Sequence, residues 1–244
     1  MNPALTIARR ELAGYFQSPV AYVFLVIYLL LSGFFTFMVG GFFERGTSSL
    51  EAFFIWQPWL YLFLVPAVGM RLWSEERRMG TLELLLTMPV TPLQAILGKY
   101  LAAWLVIAAA LALTFPLVLT VNYLGTPDNG VILAGYIGSL LLGGAYLSIA
   151  CLTSATTRNQ VVSFIVSVVV CLFLLLAGWP PVTDLLVQWA DPAFVQLVSS
   201  LSVMTHFQSI TKGVLDSRDV LYFASVIVFC LFTTGVILRT ERAN

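Results

Sequence analysis

Three cysteines, one histidine and twelve carboxylates are the residues here that chemistry could use, and their placement removes most of the reactions they allow. Cys151, Cys171 and Cys230 each fall inside an apolar run, where a thiol behaves as a small hydrophobe and neither a disulfide framework nor a metal site is indicated. With His206 as the only histidine, the two-histidine zinc motif on one helix turn cannot be built. The long apolar stretches hold neither paired aspartates nor a histidine to activate a serine, which argues against an intramembrane enzyme. No G-x-x-x-x-G-K-[ST] phosphate loop occurs, and the isolated Gly98-Lys99 is followed by tyrosine.

What remains is one dense patch of charge, "EERRMGTLELLLTMPVTPLQAILGK", positions 75 to 99. Glu75, Glu76, Arg77 and Arg78 read as a charged helix end, and Gly80 interrupts it. Thr81, Leu82, Glu83, Leu84, Leu85, Leu86, Thr87 and Met88 are too few to cross a membrane. Pro89 closes that stretch, because the residue before a proline is pushed out of helical geometry. Thr91, Pro92 and Gln94 then supply an N-cap, a first-turn proline and a reciprocal capping partner for a new helix. The pattern is helix, break, short helix, break, helix. Four leucines on so short a helix demand cover: either lipid headgroups bury them, or a cytosolic protein docks there with the flanking charges as its rim.

The elements around this patch are membrane spans. The 244 residues are 59% hydrophobic and 10% charged, with a mean hydropathy of +0.94, against roughly 25% charged in an average soluble domain. A net charge of zero gives no reason to expect nucleic acid as a partner. Six stretches approach the roughly 20 apolar residues that a spanning helix needs, at about 20–43, 53–71, 97–122, 131–153, 161–179 and 220–238. The absence of ionisable groups at membrane depth argues against a carrier driven through its own buried carboxylates. Sorting the basic residues by loop gives nine on one side (Arg9, Arg10, Arg71, Arg77, Arg78, Lys99, Arg158, Arg239 and Arg242) and three on the other (Arg45, Lys212 and Arg218). Basic residues are retained on the cytoplasmic side, so both termini and the charged patch are expected there. The first span exceeds a signal-peptide core and is expected to remain as an anchor.

Before it, Leu5, Ala8, Leu12 and Tyr15/Phe16 recur at helical spacing with Arg9, Arg10 and Glu11 largely opposite. That suits either a helix lying on the membrane surface over residues 1–18 or a solvated tail. Gly135, Ser139 and Gly143, with Ala134/Gly138 and Gly144/Ser148, mark packing seams on the fourth span, because close backbone approach drives helix association in lipid. Pro66 and Pro116 are expected to kink the second and third spans. The connection 180–219 is long, and long connections tend to be functional. Trp179 and Trp189 suit an interface. Phe194, Leu197, Val198 and Leu201 recur at helical spacing, which fits either a segment folded onto the outer mouth or an ordinary interfacial loop. Asp216, Arg218 and Asp219 open the last span, where acids favour a helix N-terminus.

The run Glu76, Arg77, Gly80, Thr81, Leu82, Glu83, Leu85, Leu86, Pro89, Val90, followed by Gly98-Lys99, resembles the loop between the second and third spans of ABC-2 type transporter permeases. The opening "RRELAGYFQSPVAYVFLVIYLLLSGFF" and the late "ITKGVLDSRDVLYF" are similar to the branch that includes gliding-motility and nitrous-oxide-reductase-maturation permeases. The resemblance covers nearly all of residues 1–244 and implies one all-α, polytopic transmembrane domain of six helices. It implies that 1–18 is the interfacial helix and that Thr81 to Met88, within a coupling segment 75–92, is the helix that seats in a separate ATPase. Glu75 through Pro89 would then form the docking surface. The implied assembly has two ATPase subunits, which carry the ATP and magnesium, and a second permease copy or a homologous one. An extracytoplasmic accessory protein and membrane lipid complete the expected partners, and no cofactor is implied on this chain. The function so implied is export or force transmission across the inner membrane. The alternative is a non-transporting scaffold that recruits a cytosolic partner through the same patch.

Overall fold

In a computed structural model of the chain, the described residues are 3–44, 46, 48–81, 91–189 and 191–243. Leu82 to Val90, which hold most of the expected coupling helix, lie outside them. The described residues form helices joined by short turns, with no strands among them.

Helix α1 (Pro3–Gln17) ends at Ser18, and Pro19 opens α2 (Pro19–Phe34). A proline is tolerated there because the first helical N–H has no intrahelical acceptor. A π-turn (Phe35–Val39) extends α2, with the Thr36 hydroxyl donating to the Ser32 carbonyl at 2.6 Å. Helix α3 (Glu51–Gly69) contains Pro58 and Pro66, and after Met70–Trp73 comes α4 (Ser74–Met79). Helix α5 (Pro92–Ala112) breaks at Leu113 and Thr114 ahead of Pro116, and α6 (Phe115–Leu124) completes the same hydrophobic stretch. Helices α7 (Asn129–Thr156) and α8 (Gln160–Leu176) carry the N-caps Asp128 and Asn159. Helices α9 (Pro180–Trp189), α10 (Pro192–Ser200) and α11 (Val203–Thr211) lead into α12 (Ser217–Ala243). Five helical stretches are long and apolar enough to cross a membrane, and the α8–α9 pair, bent by 72°, makes a sixth if taken as one broken span.

Within the fifth apolar stretch, the first helix ends at Leu176. Pro180 and Pro181 supply no backbone N–H, and Gly178 sits so close to the Ser202 and Thr205 side chains that a Cβ there would overlap them. The chain must turn at that point to let α11 approach.

Helix α7 is the axis of the bundle, packed against α3, α5, α8, α11 and α12. Its small residues serve different neighbours. A Cβ on Gly135 would meet the Phe54 ring at 2.5 Å, and one on Gly143 would meet Ile107 at 3.0 Å and Tyr61 at 3.2 Å. Ser139, between them, is buried and returns its hydroxyl to the Gly135 carbonyl. Around the helix, Gly138 faces Ile210, and Gly144 faces Tyr100, whose hydroxyl donates to the Gly144 carbonyl at 3.0 Å. Polar side chains at span depth are paired in the same economical way: Gln57 Nε2 donates to the Tyr28 hydroxyl at 2.9 Å.

At the end of the bundle away from α1, the apolar face read on Phe194, Leu197, Val198 and Leu201 is not the buried one. Phe194, Leu197 and Leu201 are exposed, while Val203, Met204, Phe207 and Ile210 of the next helix, α11, pack into the bundle. The lone histidine has a place here. His206 lies with Nδ1 2.7 Å from Asp219 Oδ1 and Nε2 3.0 Å from the Ser200 carbonyl, stacked on Tyr222 at 4.1 Å. It thereby pins the end of α10 and helix α11 to the start of α12. Just before α12, the Arg218 amide donates to Asp216 and holds that carboxyl below its ordinary pKa.

Gly135→Ala is expected to cost about 1–3 kcal/mol, because the Phe54 ring has to move for the added methyl. Thermal unfolding of the detergent-solubilised chain should show a lowered midpoint, against an unchanged or raised one for Gly33→Ala, where a Cβ meets nothing within 4 Å.

Candidate functional site

The charged patch opens where α3 gives way to α4. Trp73 is fully buried, its indole N–H donates to Cys151 Sγ at 3.3 Å, and its amide donates to Ser154 Oγ at 2.9 Å. Ser154 Oγ also receives the Ser74 amide at 3.0 Å and donates to the Met70 carbonyl at 3.0 Å. One serine on α7 thus satisfies the backbone groups freed where α3 ends, as any buried break in a helix requires. The foot of the loop is fixed to the axis of the bundle.

Helix α4 then presents Glu75 and Glu76 in its first turn and Arg77 and Arg78 in its last, the order that the helix dipole favours. It stops at Gly80, whose φ of +68° is the left-handed conformation glycine adopts without strain. The Gly80 and Thr81 amides both donate to the Glu76 carbonyl. Thr81 is the last described residue of the expected docking surface; Leu82, Glu83, Leu84, Leu85, Leu86, Thr87, Met88 and Pro89 lie outside the described residues. On the far side, Thr91 caps α5 with the reciprocal bonds its spacing predicts: the Gln94 amide to Thr91 Oγ1 at 3.3 Å, and the Thr91 amide to Gln94 Oε1 at 3.1 Å.

The residue that unites the site is Lys99. Grouped with the loop residues by sequence, it stands two turns inside α5, with a side chain only 4% exposed. Its ammonium bonds Glu76 of α4, lies 3.7 Å from Glu11 of α1, and sits 5.4 Å from the centre of the Trp73 ring. A cation over an aromatic face gains further when water is excluded. Glu11, expected on the outer side of α1 with Arg10, therefore faces inward, while Leu5 of the expected apolar stripe is exposed. The face that α1 buries carries Ala4 and Ala8, and a Cβ on Gly98 would meet Ile7 at 2.8 Å, so α1 lies directly on α5. Tyr15, one turn beyond Glu11, donates to the Val68 carbonyl at 3.4 Å. Burial, then the Glu11 carboxylate, pushes its pKa above the ordinary phenol range and keeps it a neutral donor. One signal in the sequence pointed to this cluster: a lysine entering an apolar run needs a partner. Which acids answer it is a tertiary fact.

Among the described residues, no group of three or more histidine, cysteine, aspartate or glutamate side chains is arranged to hold a metal. The site ties three helices together and leads into a loop.

A helical bundle with five or six membrane-crossing stretches is a multi-pass membrane protein. This chain belongs to the ABC-2 family of transporter proteins: the family described as "ABC-2 family transporter protein" matches residues 60–239, from within α3 to within α12 and across the whole charged patch. Members of that family are transmembrane components rather than catalytic chains, and the chain takes the permease role in an ABC transporter. No curated protein matches it.

Lys99→Met leaves two carboxylates without their cation and is expected to destabilise the chain by about 3–5 kcal/mol. Adding Glu76→Gln to it should recover part of the loss. Thermal unfolding of the three proteins measures both effects.

Proposed function

We propose that the chain is the transmembrane permease subunit of an ATP-binding cassette transporter. In this reading it couples ATP hydrolysis by separate ATPase subunits to export, or to force transmission, across the inner membrane. The observation that carries it is the anchoring of the charged patch: the loop joining α3 to α5 lies within the matched family region and is tied at its foot to three other helices. The nine basic residues that gather with the termini support a cytoplasmic position for this end.

In the mechanism, two ATPase subunits close on ATP and displace segment 75–92, with Thr81 to Met88 seated in the partner. Trp73 and Ser74 hand that displacement to α7 through Ser154, and Glu76 hands it to α5 and α1 through Lys99. Two such bundles, from a second copy or a homologous permease, then change their mutual packing. The likeness of the opening and late stretches to the gliding-motility and nitrous-oxide-reductase-maturation branch favours work on an extracytoplasmic partner.

Co-purification with an ABC ATPase subunit co-expressed with this chain tests the docking. Glu83→Arg and Leu85→Asp are each expected to abolish the association or to uncouple ATP hydrolysis from the permease. Intact assembly and coupling in both variants would contradict the proposal.

A further inference from the structure

Beside the Lys99 cluster is a cleft of about 260 Å³, lined among others by Gly14, Ser18, Arg71, Glu75 and Glu76. It adjoins the ends of two long apolar helices, since Ser18 immediately precedes α2 and Arg71 follows α3 by two residues. Its volume is far more than the roughly 30 Å³ that one water occupies.

Two charged groups in it are unspent. Lys99 is engaged by Glu76 and Glu11, but Arg71 makes no hydrogen bond or ion pair with a described residue, and its Nε is shielded from solvent as well. Glu75 likewise pairs with no described residue, so a free guanidinium and a free carboxylate share one small cleft without bonding each other. Shielded polar atoms without partners are rare in native structures and call for an occupant or an explanation. Gly14 adds an independent observation. It sits within α1, where glycine is less favourable than alanine, yet a Cβ there would meet nothing within 4 Å. The backbone has no need of a glycine; what the missing side chain keeps open is the cleft.

We infer that this cleft binds the headgroup of a zwitterionic phospholipid that carries a primary ammonium, with Arg71 on the phosphate and Glu75 accepting from the ammonium. The charge count selects the headgroup. Glu11, Glu75 and Glu76 outnumber Arg71 and Lys99 by one, so an anionic headgroup meets net repulsion, and one that brings its own ammonium does not. A quaternary ammonium has no N–H to give Glu75, so phosphatidylethanolamine is preferred over phosphatidylcholine. The lipid would bridge α1 to the end of α3 beside the Lys99 cluster. The site requires a membrane-spanning bundle and no ATPase, so it stands or falls separately from the docking of segment 75–92.

The test is native mass spectrometry of the full chain exchanged into an equimolar mixture of phosphatidylethanolamine, phosphatidylglycerol and phosphatidylcholine. The wild type is expected to retain phosphatidylethanolamine preferentially. Arg71→Gln and Gly14→Leu should each lower that retention at least about tenfold, and Gly14→Leu should leave the unfolding midpoint in lipid-free detergent unchanged or raised. Equal retention of the three lipids by the wild type, or full retention by Gly14→Leu, overturns the site. Displacement of the lipid by equimolar soluble phosphoethanolamine, with inorganic phosphate as control, would assign the cleft to a free zwitterion and overturn the lipid.

Discussion

A buried ammonium at the edge of a bilayer cannot stand alone. Removing an ion from water costs several kcal/mol even after relaxation, and only close partners of opposite charge offset it. Lys99 meets that requirement by drawing Glu76 from one side and Glu11 from the other onto a helix that is otherwise apolar. Glu76 of α4 and Glu11 of α1 thereby meet on α5 at this point. The cluster is poor evidence for stability, because replacing all of its charged members together by well-packed hydrophobic residues is often neutral or stabilising, whereas removing one alone is costly. Its value is specificity: it fixes which helices touch at this end and in which register.

The second constraint is backbone satisfaction at the break between α3 and α4. Carbonyls and amides freed there have no water to turn to, and Ser154 supplies them from α7. Since α7 runs 28 residues, about 42 Å at 1.5 Å per residue, the same rigid helix that holds the foot of the loop also holds α11 at the opposite end, through Gly138 and Ile210. Movement at one end thus has a stiff, closely packed path to the other.

How much of this was legible depended on whether the information was local. The long apolar helices, the interruption ahead of Pro116, the Thr91 cap and the break at Gly80 are written in adjacent residues, and each is present, whereas α3 runs unbroken through Pro66. The small residues of α7 were also readable as seams, though the sequence did not reveal that they face several neighbours. The misreadings share one cause. In a membrane, hydrophobicity no longer separates buried from exposed, because lipid tolerates leucine as well as protein does. The stripe of Phe194, Leu197 and Leu201, readable as a cap on the outer mouth or as an interfacial loop, is exposed, whereas Glu11, read opposite the apolar stripe of α1, is held beside Lys99. His206 looked inert alone and gains its role only when Asp219 and Ser200 reach it from elsewhere in the chain.

The central claim is that Lys99 makes α1, α4 and α5 one mechanical body. Spin labels on cysteines placed at the exposed positions Arg9 and Arg78 measure it directly through their distance distribution in lipid. The account predicts a narrow distribution in the parent chain and a broad one when Lys99 is methionine. Distributions of equal width in the two proteins would contradict it.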